Sequence, residues 1–162
     1  MTALTALVER AAGLTDEREL ANLRREADEE LEAAARSEDF RERALAYRAV
    51  GQLHFRQKTE LLRRGLEDES PACRGSALLS LELLSREHAG DVNAVRSMLH
   101  TLVTVDPNAA VRRLAVMCLK NGSPHRDTVV LLEHLADGEN DRELRAAAAK
   151  VAQALKMKAR DR

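Results

Sequence analysis

The sequence predicts an all-α fold built from antiparallel helical hairpins, and three observations lead there. Leucine (25) and alanine (27) dominate the 162 residues, isoleucine is absent, and the aromatics number three: Phe40, Tyr47 and Phe55. That balance favours helix and starves strands of the β-branched and aromatic residues they use. Helix-start signals recur at short intervals, and an arginine-led pattern of apolar residues occurs four times. Together these exclude a β-sandwich, a disordered tail and a disulfide-stapled mini-protein.

The helices follow from their punctuation. Thr15-Asp16-Glu17, Ser70-Pro71, Asp91, Asp106-Pro107, Ser123-Pro124 and Asn140 through Glu143 each place an acceptor ahead of unpaired N–H groups. Asn140 leads a capping-box variant in the last of these. The three prolines, Pro71, Pro107 and Pro124, mark boundaries, because proline at a helix start has no N–H to leave unbonded. Nine helices result, at 3–12, 16–36, 39–55, 58–67, 71–87, 92–105, 107–121, 125–136 and 141–158. Their short links favour antiparallel neighbours. Leu20, Leu23, Ala27, Leu31 and Ala34 form one stripe on the 16–36 helix, so residues 1–38 are expected to cap the array. Residues 39–158 form the repeats and 159–162 a basic tail, all within one compact domain.

The repeat is read as an arginine followed by core positions three, seven and ten residues later. Arg43-Ala46-Val50-Leu53 aligns with Arg74-Ala77-Leu81-Leu84, Arg112-Ala115-Leu119-Gly122 and Arg145-Ala148-Ala152-Leu155. Alanine at the second position lets helix backbones approach closely, and the later positions continue one core stripe. A turn acid precedes three of the arginines: Asp68 before Arg74, Asp106 before Arg112, and Asp137 before Arg145 with two extra residues. The first copy shows no such acid. Each acid is expected to cap the following helix, and each arginine to pair with a neighbouring copy's acid. A single hairpin cannot bury its own apolar face, so copies must stack.

An aspartate turn followed by Val-Arg-x-x-Ala-x-x-x-Leu resembles the HEAT repeats, especially the short variety of phycobilisome-lyase-like proteins. Asp106-Pro107 through Val111-Arg112, Ala115 and Leu119 match it best, and the resemblance covers about residues 39–158. It implies an α–α superhelix, a right-handed solenoid whose second helices line a concave side. It says little about function, since such folds carry many unrelated jobs.

Catalytic signatures are missing: the sequence holds no CxxC, no HxxxH, no glycine-rich phosphate loop and no G-x-S-x-G. The five histidines are His54, His88, His100, His125 and His134. Iron-binding HEAT-fold deoxyhypusine hydroxylases use His-Glu dipeptides, whereas Glu87-His88 and Glu133-His134 run in the opposite order. The reading is no catalytic residue, no metal and no cofactor. Cys73 and Cys118 are expected to be buried thiols, as their register offset places them about 10 Å apart along the helix axes. No secretory signal or run of 18 apolar residues is present, so a cytoplasmic location without membrane association is expected.

Charge alternates along the chain. Residues 1–38 carry -5, 39–66 carry +4, 67–107 carry -4 and 108–162 carry +4, for a net -1. This lacks the broad basic field that nucleic acid requires. Projected onto the expected concave face are Arg48, then Leu79 and Glu82, then Arg113, Met117 and Lys120, then Lys150. Basic ends around an apolar middle suit another protein or an acidic amphipathic peptide. The leading expectation is therefore a non-catalytic adaptor, scaffold or inhibitor, as a monomer or weak homo-oligomer. Two alternatives stand by resemblance. One is a nucleic-acid-binding protein like the HEAT-like alkylpurine DNA glycosylases. The other is an accessory subunit like the bilin lyases.

Overall fold

The structure is a computed structural model describing residues 2–162. Every regular element among these residues is helical, as the composition predicts. None of the helices is long and apolar enough to cross a membrane. The chain divides into two compact units, one ending at Leu84 and one spanning Ser85–Arg162.

The first unit contains α1 (Ala3–Ala11), α2 (Glu17–Ala35), α3 (Phe40–Gln52), a short 3-10 turn (Arg56–Lys58), α4 (Thr59–Leu66) and α5 from Pro71. Asp16 caps α2 as expected, its carboxylate accepting from the N–H groups of Arg18 and Glu19. The apolar stripe of α2 is buried at Leu20, Leu23, Ala27 and Leu31, and α2 packs on α3. Arg24 fixes that packing. It is a buried cation donating to the carbonyls of Leu53 (3.2 Å) and His54 (3.4 Å) at the C-terminal end of α3, where a helix presents negative charge.

The expected 39–55 helix stops at Gln52 because a Schellman turn closes it. The Phe55 N–H bonds to Val50 O at 2.8 Å and the His54 N–H to Gly51 O at 3.0 Å. His54 takes the left-handed conformation this requires, with φ of 53°. Glycine would adopt it without strain.

Two close helix approaches occur at glycines of the first unit. A Cβ on Gly51 would lie 2.7 Å from the Ser80 Cα, and one on Gly65 would lie 2.7 Å from the Ala77 Cβ. Ser80 occupies the first crossing with hydrogen bonds. Its hydroxyl accepts from the Gly51 N–H at 3.0 Å and donates to Tyr47 O at 2.5 Å.

The second unit contains α6 (Ala89–Asn93), α7 (Arg96–Val105), α8 (Ala109–Leu119), α9 (Arg126–Gly138) and α10 (Arg142–Arg160). The single helix expected at 92–105 is two, interrupted at Ala94 and Val95. Asp91 lies inside α6 rather than capping it. The interruption has a visible cause. Asn93 turns its side chain onto Ser123, accepting from the Ser123 N–H at 3.0 Å and donating to its hydroxyl at 2.9 Å. Arg96 donates to the same Asn93 oxygen at 2.7 Å. The caps of α8, α9 and α10 are Asn108, His125 and Asp141. Asp141, not Asn140, thus leads the last helix. Residues 159 and 160 continue α10, so the basic tail begins as helix.

Candidate functional site

The turn residues before the four arginines are spaced more regularly than the sequence suggested. Asp68 lies six residues before Arg74, and Asp106 six before Arg112. Each aspartate accepts from the N–H two residues on, Ser70 or Asn108, at 2.9 Å. Glu139 does the same with Asp141 at 3.3 Å and stands six residues before Arg145. Glu139 is therefore the turn acid of the fourth copy. Asp137 is instead an exposed residue in the last turn of α9, and the two apparent extra residues disappear. The first copy also has its turn residue. Ser37 lies six before Arg43 and accepts from the Asp39 N–H at 3.1 Å.

With Ser37, Asp68, Asp106 and Glu139 as turn residues, the arginines share one mode of anchoring. Arg43 donates to Ser37 O and Glu38 O, both at 3.0 Å. Arg74 donates to Asp68 O (2.9 Å) and Glu69 O (3.1 Å), and Arg145 to Glu139 O (3.2 Å). Arg112 departs by donating its Nε–H to Val103 O at the end of α7, at 2.8 Å.

The expected pairing between neighbouring copies occurs within each unit. Arg43 meets Asp68 through two parallel bonds of 2.8 and 3.0 Å, and Arg112 meets Glu139 at 2.6 Å. Bidentate geometry of this kind is among the strongest charged contacts available to a side chain. Burial alone would raise the Asp68 carboxyl. The Arg43 hydrogen bonds and the Ser70 N–H outweigh it and hold Asp68 below the usual carboxylate range. Hydrogen bonds from Arg112 and the Asp141 N–H likewise lower Glu139. These contacts fix how successive helices sit, and they explain why the arginine recurs.

The ladder orients the second helix of every copy. Ala46, Ala77, Ala115 and Ala148 are each completely buried. Two residues further along, at Arg48, Leu79, Met117 and Lys150, the side chains turn outward. Leu79 is 38% exposed and Met117 37%, high values for large apolar groups at corresponding positions.

In the first unit this leaves Arg48 on α3 with Leu79 and Glu82 on α5, all at least partly exposed. Gly51, also on α3, is buried at the Ser80 crossing and belongs to the core. In the second unit Arg113, Met117 and Lys120 share one face of α8, and Lys150 lies exposed on the adjacent α10. Arg113 is ion-paired with Glu143 of α10. Lys158 reaches from α10 to the carbonyls of Lys120 and Gly122, closing the C-terminal end of α8.

The histidines are distributed rather than gathered. His125 caps α9, His134 is exposed on α9, and His100 hydrogen-bonds the buried Thr128 hydroxyl at 2.8 Å. Among the described residues no cluster of three or more His, Cys, Asp or Glu side chains could hold a metal ion. Cys73 and Cys118 are both buried and not joined in a disulfide, and the Cys73 thiol donates to Phe40 O at 3.2 Å. Among the described residues, no buried side-chain nitrogen or oxygen lacks a hydrogen-bond partner.

Compared with protein families and with curated proteins, the chain matches none.

Proposed function

We propose that the chain is a non-catalytic protein-interaction module of HEAT-like hairpins. Its second helices receive a partner protein or an acidic amphipathic peptide. One observation carries this reading: a single repeat position is at least partly exposed in all four copies and reads Arg48, Leu79, Met117, Lys150. The buried alanine two residues earlier holds each of these helices close to its neighbours. The outward side chains are therefore presented on rigid elements, which suits recognition more than loops would. In the first unit exposed Leu79 stands with Arg48, and in the second exposed Met117 stands with Lys120, each supplying an apolar anchor and a charge that selects for acidic partners. A cytoplasmic location fits this reading.

The test is direct binding. Proteins crosslinked to the purified chain would be identified, expressed and titrated calorimetrically against wild type and two variants. These are Leu79→Glu in the first unit and Met117→Glu with Lys120→Glu in the second. Loss of binding with unchanged melting temperature in at least one variant supports the proposal. Undiminished binding in both variants refutes it. Arg113 is left intact, because Arg113→Glu would set a second carboxylate against Glu143 and confuse stability with recognition.

A further inference from the structure

Arg43 and Arg112 each find a carboxylate one copy further on, whereas Arg145 does not. It is exposed, anchored through one Nη to the Glu139 carbonyl, and has no carboxylate partner among the described residues. The position four residues after the repeat arginine shows the same open state. Tyr47, Leu78 and Val116 are buried there, while the fourth copy has Ala149, which is exposed. Beside Ala149 a groove of about 270 Å³ runs between α9 and α10, with Ala136 and Ala152 in its wall. Small side chains along such a groove permit another helix to come close. The acids on its α9 side are Glu133, which is ion-paired with Lys156, and Asp137, which is exposed.

We infer that this face of the second unit binds the acidic α2 helix of a second copy, with Arg145 taking a carboxylate from it. Charge selects that occupant. On α10, Arg142, Arg145, Lys150 and Arg160 hold no ion pair among the described residues, whereas Lys156 pairs with Glu133 and Lys158 donates to the carbonyls of Lys120 and Gly122; α2 carries seven acids and three bases. On α2, Glu19, Glu29 and Glu30 are exposed and hold no ion pair, unlike Glu17, Glu26, Asp28 and Glu32. Joining two α10 ends would oppose like charges, so the contact is between different surfaces. A contact between different surfaces closes into a ring or continues into a chain according to its rotation.

Sedimentation velocity on the full chain, over a hundredfold range of concentration and at low and high salt, tests it. The weight-average size should climb steadily with concentration at low salt and return to that of one chain at high salt. Arg145→Glu should weaken association at least about tenfold, and so should Glu29→Arg with Glu30→Arg. Combining all three changes should restore it. Arg145→Gln provides a milder variant, and circular dichroism verifies folding in each. A single chain under every condition overturns the inference, as does association that Arg145→Glu and Arg145→Gln leave unchanged.

Discussion

Arg43 and Asp68 face each other across two copies of the repeat with both guanidinium–carboxylate bonds made, at 2.8 and 3.0 Å. Both side chains are largely buried, 13% and 7% exposed. A charge pair withdrawn from water in this way is weak evidence of net stabilisation, yet removing one member strands the other. Asp68→Ala should therefore destabilise the protein by about 3 kcal/mol in urea unfolding. Loss below about 1 kcal/mol would place the pair at an inconsequential surface contact.

The same carboxylate sets an acid limit. Its folded pKa lies below the unfolded value of about 3.9, so its contribution is present above that pH. The contribution is lost as pH falls through the lowered folded value. Glu139 behaves alike. Wild type should lose stability steeply below about pH 4, and Asp68→Asn with Glu139→Gln should show a shallower acid limb. Parallel acid limbs for the two proteins would contradict the assignment.

Most of the fold was legible because it rests on local rules. Caps such as Asp16, the buried alanines and the arginine spacing are all written within a helix turn or two. What stayed hidden depends on distant partners. Asp137 looked like the fourth turn acid because it is an aspartate upstream of Arg145, as Asp68 and Asp106 are of their arginines, though two residues further away. In the structure the N–H of Asp141 and the reach of Arg112 identify Glu139 instead. Counting back six residues from each arginine would have found both Glu139 and Ser37. The break before Arg96 and the burial of Gly51 offered no comparable signal, since Ser123 and Ser80 are 30 and 29 residues away.

His54 holds a left-handed conformation that costs a non-glycine residue about 1 kcal/mol. Its side chain is exposed. His54→Gly should therefore raise stability by about 0.5–1 kcal/mol, read from the urea midpoint at constant slope. A fall in the midpoint would show that the imidazole has a structural role.

Gly51 and Gly138 form a matched comparison. A methyl on Gly51 meets the Ser80 backbone at 2.7 Å, while one on Gly138 meets nothing within 4 Å. Gly51→Ala should cost about 1–3 kcal/mol. Gly138→Ala should be neutral or stabilising by up to about 1 kcal/mol. Thermal melts of the two variants suffice, and equal midpoints would refute the close α3–α5 crossing.

His100 is partly buried, and desolvation and Arg96 lower its pKa below the ordinary histidine value. The unfolded chain thus takes up a proton more readily, and stability should fall as pH drops through about 6.5. The decline ends once the folded form also titrates. His100→Gln should remove this slope between about pH 5 and 7 while leaving the carboxylate limb. Persistence of the slope in the variant would assign it to another group.

The central structural claim is that one repeat, with its turn residue six positions before each arginine, sets which side chains face outward. A double-mutant cycle on Arg112→Ala and Glu139→Ala, with Asp137→Ala as a third single variant, tests it most directly. A coupling of about 1–3 kcal/mol between Arg112 and Glu139 is expected, and an effect of Asp137→Ala within about 0.5 kcal/mol. Negligible coupling, or a larger loss from Asp137→Ala than from Glu139→Ala, would contradict it.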